Sequence, residues 1–326
     1  MAEKVCQKPD AHFGMINLRK RKNGCMQNVK EKNITCKVKL AEGSSKPKRS
    51  RKDIQQNQNK KDGPAALDDE ELLKRFSIRK EQLKRSLVAG STQVFRKLCD
   101  SFERSRDSTK ADAMSKYLRF KFEFFGIQTP QRREIYKPLW KEIKLLNSSD
   151  LRTLVCEAWY SPEREFQQFA VDLFEKEYLR IYSDDRLSTE KYATSTLDFA
   201  RQFLACSKSW WDTVDPLAYK VVGPLVKKYP EHLLPVMDRW NVSEITWLVR
   251  TSIIYQLGYE KETDAQRLFR YCLKVAHEDE FFIQKAIGWA LRQHCRVDEK
   301  SVKVFVEKHK KTLSALSVRE ALKHVK

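Results

Sequence analysis

Beyond residue 68, apolar residues recur at helical spacing through most of the chain, and this periodicity restricts the fold class more than any other property. In SPEREFQQFAVDLFEKE the apolar positions follow i, i+3, i+4, i+7 and i+8, namely Phe166, Phe169, Ala170, Leu173 and Phe174. Ser161 and Pro162 stand where an N-cap and a first helical residue are expected. Strand-like alternation and hairpin turn pairs are absent from the sequence, so we predict an all-α fold.

The predicted helices are short and come in pairs. Trp211, Trp247 and Trp289 lie near the fronts or middles of successive units, 36 and 42 residues apart. That loose period is typical of HEAT-like helical hairpins, which bury one another's apolar faces by stacking and leave a long concave surface. We therefore expect residues 68–326 to form one HEAT-like helical-repeat solenoid domain.

Residues 1–67 differ in character, because they are polar, rich in lysine and without periodicity. Residues 1–65 hold 17 Lys and Arg against 6 Asp and Glu, out of a net charge of +20 for the chain. We predict a disordered basic tail. Its run KPKRSRK (46–52) is typical of a nuclear-import signal or a DNA-binding arm, with a solvated linker as the alternative. We expect a nuclear protein, with cytoplasmic and mitochondrial locations left open.

Composition narrows the class of partner. The positive net charge favours nucleic acid or an anionic membrane surface, and no apolar run is long enough for a membrane span. The eight cysteines show neither C-x-x-C pairs nor zinc-like spacing with histidine. We therefore expect free thiols, no metal, and nucleic acid rather than membrane as the partner.

The segment FFIQKAIGWALRQH (281–294) predicts a helix with two chemically different faces. One face gathers the core residues, which are Ile283, Ile287, Ala290, Leu291 and His294. Lys285, Trp289 and Arg292 lie on the opposite side, which favours a DNA-facing strip of cations and one indole. The alternative is a surface tryptophan packed under its neighbours' side chains. Gly288 beside Trp289 would let a backbone approach closely.

The segment SKSWWDTVD (207–215) places an acid beside two indoles. If it is helical, Trp211 and Asp215 share a face, while Trp210 points towards the core. The alternatives for Asp215 are a helix cap or an ion pair. Pro216 would be harmless if the helix begins with Asp212 as its N-cap, which we expect, and would cause a kink if it begins at Ser209.

From about residue 111 to 325 the chain resembles the bacterial DNA alkylation repair family of the AlkD type. The matching stretches, in order and spacing, are FFGIQTPQRR, SPEREFQQFAVDL, KSWWDTVD, WLVRTSIIYQL, FFIQKAIGWALR and LSVREALKHV. The resemblance implies a HEAT-like solenoid that holds duplex DNA in its concave groove. It also implies a glycosylase that hydrolyses the N-glycosidic bond of N3- or N7-alkylated purines.

The resemblance also assigns roles to residues. It identifies Asp215 as the catalytic carboxylate, with Trp211 and Trp289 as the aromatic pair that flanks the sugar and backbone of the lesion. It makes Arg250 and Arg292 phosphate clamps. The remaining predicted DNA contacts are Lys285, from the helical face described above, and Gln128 and Tyr117, from the family match.

A lone carboxylate suits this chemistry, because an alkylated purine already carries positive charge and can leave without a general acid. The carboxylate then has to stabilise an oxocarbenium-like sugar and position water. We expect a monofunctional glycosylase of base excision repair that acts as a monomer without a cofactor. The alternatives are a catalytically inactive HEAT-repeat DNA-binding or repair-scaffold protein, and a protein–protein adaptor.

Overall fold

The structure, a computed structural model, describes residues 93–183 and 187–325, which are almost entirely helical. Among these residues the only extended pairing is an isolated parallel bridge between Glu123 and Glu163. The predicted all-α class is confirmed. In chain order the α-helices are α1 (Gln93–Glu103), α2 (Ser108–Tyr117), α3 (Thr129–Tyr136), α4 (Trp140–Ile143), α5 (Ser148–Tyr160), α6 (Arg164–Glu177), α7 (Thr189–Leu204), α8 (Trp211–Leu217), α9 (Gly223–Lys228), α10 (Pro230–Trp240), α11 (Thr246–Ile254), α12 (Ala265–Lys274), α13 (Phe281–Cys295), α14 (Glu299–Lys308) and α15 (Ala315–Ala321).

Neighbouring helices pack against one another as a helical repeat does, with α5 on α6, α11 on α13 and α13 on α15. Their apolar faces form two core clusters, and α11 belongs to both, since Leu248 packs into the first and Ile253 into the second. None of the helices within residues 93–183 and 187–325 is both long and apolar enough to cross a membrane. The predicted tail of residues 1–67, its run 46–52 and the boundary at residue 68 lie outside the described residues.

The core face predicted for α6 is confirmed, but the helix begins at a later residue than expected. All five predicted core residues, from Phe166 to Phe174, are buried. The N-cap is Glu163 rather than Ser161. Ser161 instead follows the last residue of α5, where its hydroxyl donates to the carbonyl of Glu157. The N–H of Arg164 donates to the carbonyl of Glu123 at 2.8 Å, so a long-range contact sets the start of α6.

Helix α8 also starts at a different residue from the one predicted. Its N-cap is Trp210, whose carbonyl accepts the N–H groups of Thr213 and Val214, so Asp212 lies inside the first turn. Pro216 is consequently inside the helix, where it has no N–H to donate. A π-helical turn, Ala218–Val222, follows and leads directly into α9. Asp215 thus lies in the middle of a continuous but irregular helical segment.

The loop between α2 and α3 is held by one buried carboxylate. Glu165 on α6 accepts the backbone N–H groups of Phe125, Gly126 and Ile127 at 2.9–3.1 Å. Gly126 has a φ of +92°, and a Cβ atom there would lie 2.1 Å from the carbonyl oxygen of Asp107. Only glycine fits this turn. The loop that connects Tyr117 with Gln128 is therefore anchored to the centre of the domain.

Candidate active site

Asp215 is paired with Arg250. The Nε of Arg250 donates to Oδ1 of Asp215 at 2.7 Å, and Nη2 donates to Oδ2 at 2.8 Å. The third nitrogen, Nη1, donates to the carbonyl oxygen of Phe282 at 2.6 Å. This two-pronged contact joins α8 to α11 and fixes the orientation of the carboxylate.

Both members of this pair are almost enclosed, since Asp215 is 8% exposed and Arg250 is 5% exposed. Burial raises the pKa of the Asp215 carboxyl, and the Arg250 guanidinium acts in the opposite direction. Each carboxylate oxygen has two lone pairs, and Arg250 takes one on each. The other lone pair of each oxygen accepts no hydrogen bond from the described residues.

Arg250 also links Asp215 to Trp289. Its guanidinium carbon lies 6.0 Å from the centre of the Trp289 ring, at the outer limit of a cation–π contact. Tyr219, in the π-helical turn after α8, meets the same indole edge-on with ring centres 6.5 Å apart. Trp289 is half-buried. The structure therefore places three of the predicted site residues in one row, an acid, a cation and an indole.

Trp211 lies one helical turn before Asp215 on α8 and is half-buried. The ring of Tyr117, which is 73% exposed, meets the Trp211 ring edge-on at 5.7 Å. Trp210 packs instead against Trp247 and Phe282, at ring separations of 5.5 and 5.0 Å. Trp210 therefore packs against α11 and the first turn of α13, and Trp211 is the indole that accompanies the carboxylate.

Lys285 and Arg292 are joined by one acid from α15. Glu320 accepts from Lys285 Nζ at 2.9 Å and from Arg292 Nη1 at 2.6 Å. Hydrogen bonds from Lys285 and Arg292 lower the pKa of Glu320 to about 2. The two predicted phosphate-binding cations are thus held side by side, with part of their charge neutralised by Glu320.

The close backbone approach predicted at Gly288 is present in the structure. A Cβ atom at this position would lie 2.5 Å from the Cβ of Glu320 and 3.0 Å from the carbonyl oxygen of Ser317. The backbone that approaches Gly288 is therefore that of α15. The core face predicted for α13 is confirmed, since its five residues, from Ile283 to His294, are all buried.

Gln128 stands apart from the other predicted residues. It is exposed at the N-cap of α3 and makes no side-chain capping bond. Among the described residues, no hydrogen bond joins its side chain to Asp215, Trp211 or Trp289. Its predicted role in DNA binding therefore depends on the family match alone.

A second acid–arginine pair on α8 was missed by sequence reasoning. Arg164 donates Nε and Nη2 to the two carboxylate oxygens of Asp212 at 3.0 and 2.6 Å. Sequence patterns could not reveal it, because Arg164 belongs to a helix several of whose polar residues are buried together with its apolar ones. Partners 48 residues apart carry no local signal.

The fold and the site define a helical-repeat protein with a buried carboxylate–arginine pair between indoles. A family model described as DNA alkylation repair enzyme matches residues 98–325, and the chain belongs to this family. The match confirms the predicted resemblance.

A solved structure supports the same relation. It is described as a predicted DNA alkylation repair enzyme from Enterococcus faecalis, and it is 28% identical with a TM-score of 0.58. The alignment covers 68% of this chain and 97% of that one. No curated protein matches the chain.

Proposed function

We propose that this protein is a monofunctional DNA glycosylase of base excision repair, which hydrolyses the N-glycosidic bond of N3- or N7-alkylated purines in duplex DNA. The observation that carries the proposal is the Asp215 carboxylate, oriented by Arg250 and flanked along its helix by Trp211. Membership of a family of DNA alkylation repair enzymes supports DNA as the substrate.

The proposed reaction uses a charge that the substrate already carries. The bond from C1′ to the purine nitrogen breaks, and its electron pair neutralises the cationic base, so no general acid is required. Asp215 stabilises the positive charge that develops on the deoxyribose and orients the water whose oxygen adds to C1′, and the proton that this water loses passes to the carboxylate and then to solvent. A negative charge in a nearly water-free site is more effective here than one in bulk water.

The other site residues assist in this proposal. Trp211 and Trp289 hold the sugar edge and exclude solvent, and Arg250 positions the carboxylate. Lys285 and Arg292 contact phosphates of the duplex. Tyr117 and Gln128 contact the duplex from the side of α2 and α3. The protein would act as a monomer, without metal or cofactor, and in the nucleus on account of the basic run 46–52.

One observation favours a second candidate, a catalytically inactive DNA-binding or repair-scaffold protein. Arg250 already binds both oxygens of Asp215, as expected of an acid whose only task is to hold two helices together. The glycosylase requires in addition that the outward lone pairs of the carboxylate reach a sugar.

Base release separates the two candidates. The full-length protein would be incubated with a duplex that contains a single 7-methylguanine, and the free base would be measured by mass spectrometry. A glycosylase releases the base and leaves an abasic site, and borohydride traps no covalent adduct because the reaction is monofunctional. Tight binding to the same duplex without base release would establish the scaffold.

A further inference from the structure

The last two residues of α2 and the five that follow alternate cations with aromatic residues in an unusual way. This segment reads KYLRFKF, residues 116–122. Leu118 is buried and anchors the segment, whereas its cations and two of its rings are exposed; these residues are Lys116, Tyr117, Arg119, Phe120 and Lys121. Aromatic rings interleaved with cations are typical of surfaces that bind nucleic-acid strands.

The backbone of this segment is strained. Arg119 and Phe120 have φ angles of 59° and 56°, in the left-handed region that residues other than glycine seldom occupy. The N–H of Phe120 donates to the carbonyl of Ser115 at 2.7 Å, and the Ser115 hydroxyl donates to the carbonyl of Phe122 at 3.0 Å. These bonds hold a conformation that the side chains disfavour. Backbone strain of this kind concentrates at functional sites.

The strained turn presents Phe120 to solvent, where it is 72% exposed. Phe124 and Phe125, a few residues later, are core residues. Within the described part of the chain, Phe120 contacts no other ring, and Lys116 and Arg119 have no carboxylate partner. A strained, exposed phenylalanine beside unpaired cations is not explained by packing.

The segment borders the candidate active site. Tyr117 contacts Trp211, and the Lys121 ammonium lies 4.6 Å from the centre of the Trp210 ring. Trp210 is the N-cap of α8, the helix that carries Asp215, and Trp211 is its first residue. A strand bound at Asp215 would therefore continue past this segment. The segment offers a flat apolar ring for a base and cations for the adjoining phosphates.

We propose that Phe120 is a DNA-positioning residue that stacks on a nucleobase next to the damaged nucleotide, while Arg119 contacts a neighbouring phosphate. This inference rests on the proposed function only in taking DNA as the ligand of the Asp215 site. Phe120 does not take part in bond cleavage. Its contribution is to hold the duplex in register with the carboxylate.

The principal test replaces Phe120 by glycine, leucine or tyrosine. Phe120→Gly removes the ring and relieves the left-handed backbone, so we expect an unchanged or higher melting temperature together with about tenfold weaker binding of a 7-methylguanine duplex. Phe120→Leu keeps apolar surface without a π face and should also weaken binding. Phe120→Tyr keeps the ring and should bind as the wild type does. Val304→Ala, at another exposed apolar position on α14, is the matched control.

A fluorescent base provides a readout that a structural role would not change. With 2-aminopurine placed next to the 7-methylguanine, stacking of Phe120 should alter the fluorescence in the wild type and Phe120→Tyr but not in Phe120→Gly. Arg119→Ala should lower the slope of log affinity against log salt by about one.

The outcomes distinguish this inference from the proposed function. If the wild type binds the duplex but releases no base, the glycosylase proposal fails, and the binding and fluorescence results still decide the role of Phe120. If the wild type releases base and Phe120→Gly binds equally well with the same fluorescence change, the inference about Phe120 is overturned. A wild type that does not bind DNA overturns both.

Discussion

Two carboxylates on α8, only three residues apart, hold buried arginines in nearly the same way. Asp212 accepts two hydrogen bonds from Arg164 at 3.0 and 2.6 Å, and Asp215 accepts two from Arg250 at 2.7 and 2.8 Å. In each case a planar guanidinium meets a planar carboxylate. Hydrogen-bond geometry alone does not distinguish the two pairs.

The surroundings of the two arginines do distinguish them. Arg164 is 0% exposed. It also donates to the Thr213 hydroxyl at 2.9 Å and the Lys208 carbonyl at 2.8 Å, and it lies 3.8 Å from the centre of the Phe122 ring. Arg250 donates otherwise only to Phe282 among the described residues, and its neighbouring ring, Trp289, lies on the helix predicted to face DNA.

The two pairs on α8 therefore differ in what their arginines contact and not in the geometry of their hydrogen bonds. The Asp212–Arg164 pair ties α8 to α6, and its arginine is fully enclosed. The Asp215–Arg250 pair lies beside the half-buried ring of Trp289. We therefore propose Asp215 rather than Asp212 as the catalytic acid because of the residues beside its arginine, and not because of the ion pair itself.

The largest effect is expected for Asp215→Asn. Loss of the negative charge beside the developing sugar cation should reduce single-turnover release of 7-methylguanine by about a thousandfold, or about 4 kcal/mol of transition-state stabilisation. Affinity for the duplex should change little, because the acid makes no favourable contact with phosphates. Asp212→Asn is the matched control and should release base at nearly the wild-type rate when folded. Normal release by Asp215→Asn would show that another residue is the catalytic acid.

Arg164→Met should have the largest effect on stability. It leaves Asp212 without its partner in a nearly enclosed position, so we expect the free energy of unfolding to fall by about 3 kcal/mol in a urea titration. Release of base by the folded fraction should remain close to that of the wild type. A selective loss of base release without loss of stability would mean that Asp212 and Asp215 share the catalytic task.

Arg250→Met should alter the pH dependence of base release. Burial raises the pKa of the Asp215 carboxyl and Arg250 opposes that rise, so the variant's carboxyl should have a still higher pKa. The reaction needs the ionised acid, and the acidic limb of the pH–rate profile should therefore move to higher pH. An unshifted limb would mean that the limb does not report on Asp215.

Glu320→Gln should have the smallest effect. Its lowered pKa of about 2 means that the ion pairs with Lys285 and Arg292 stabilise the fold above the ordinary glutamate pKa. That stability is lost as the pH falls towards 2. We expect a loss of about 1 kcal/mol at pH 7 that shrinks steadily in unfolding measured down to pH 3. A difference independent of pH would point to packing rather than charge.

The helical spacing of apolar residues was sufficient to predict much of the fold. The all-α class, the buried face of α6 and the core face of α13 all follow from side chains recurring with the period of a helix, which is a local property. The starts of α6 and α8 were mispredicted by two residues each. At α6 a distant carbonyl, that of Glu123, determines the first turn.

Residue spacing and family resemblance also named the members of the candidate site. The structure brings Asp215, Arg250 and Trp289 together, and Tyr117 with Trp211. The partner of each cation could not be predicted from the sequence. Arg250 is committed to Asp215, and Lys285 and Arg292 share Glu320, across separations of 28 to 35 residues.

Helical periodicity and residue chemistry thus specify which side chains lie on one face of a helix, because each turn depends on its immediate neighbours. Which charges remain free for a ligand depends on how distant helices pack. Ion pairing acts between whichever groups that packing brings within a few ångströms, and burial then determines how strongly it acts. For that reason the candidate acid could be named from the sequence, whereas its buried arginine partner became apparent only in the folded chain.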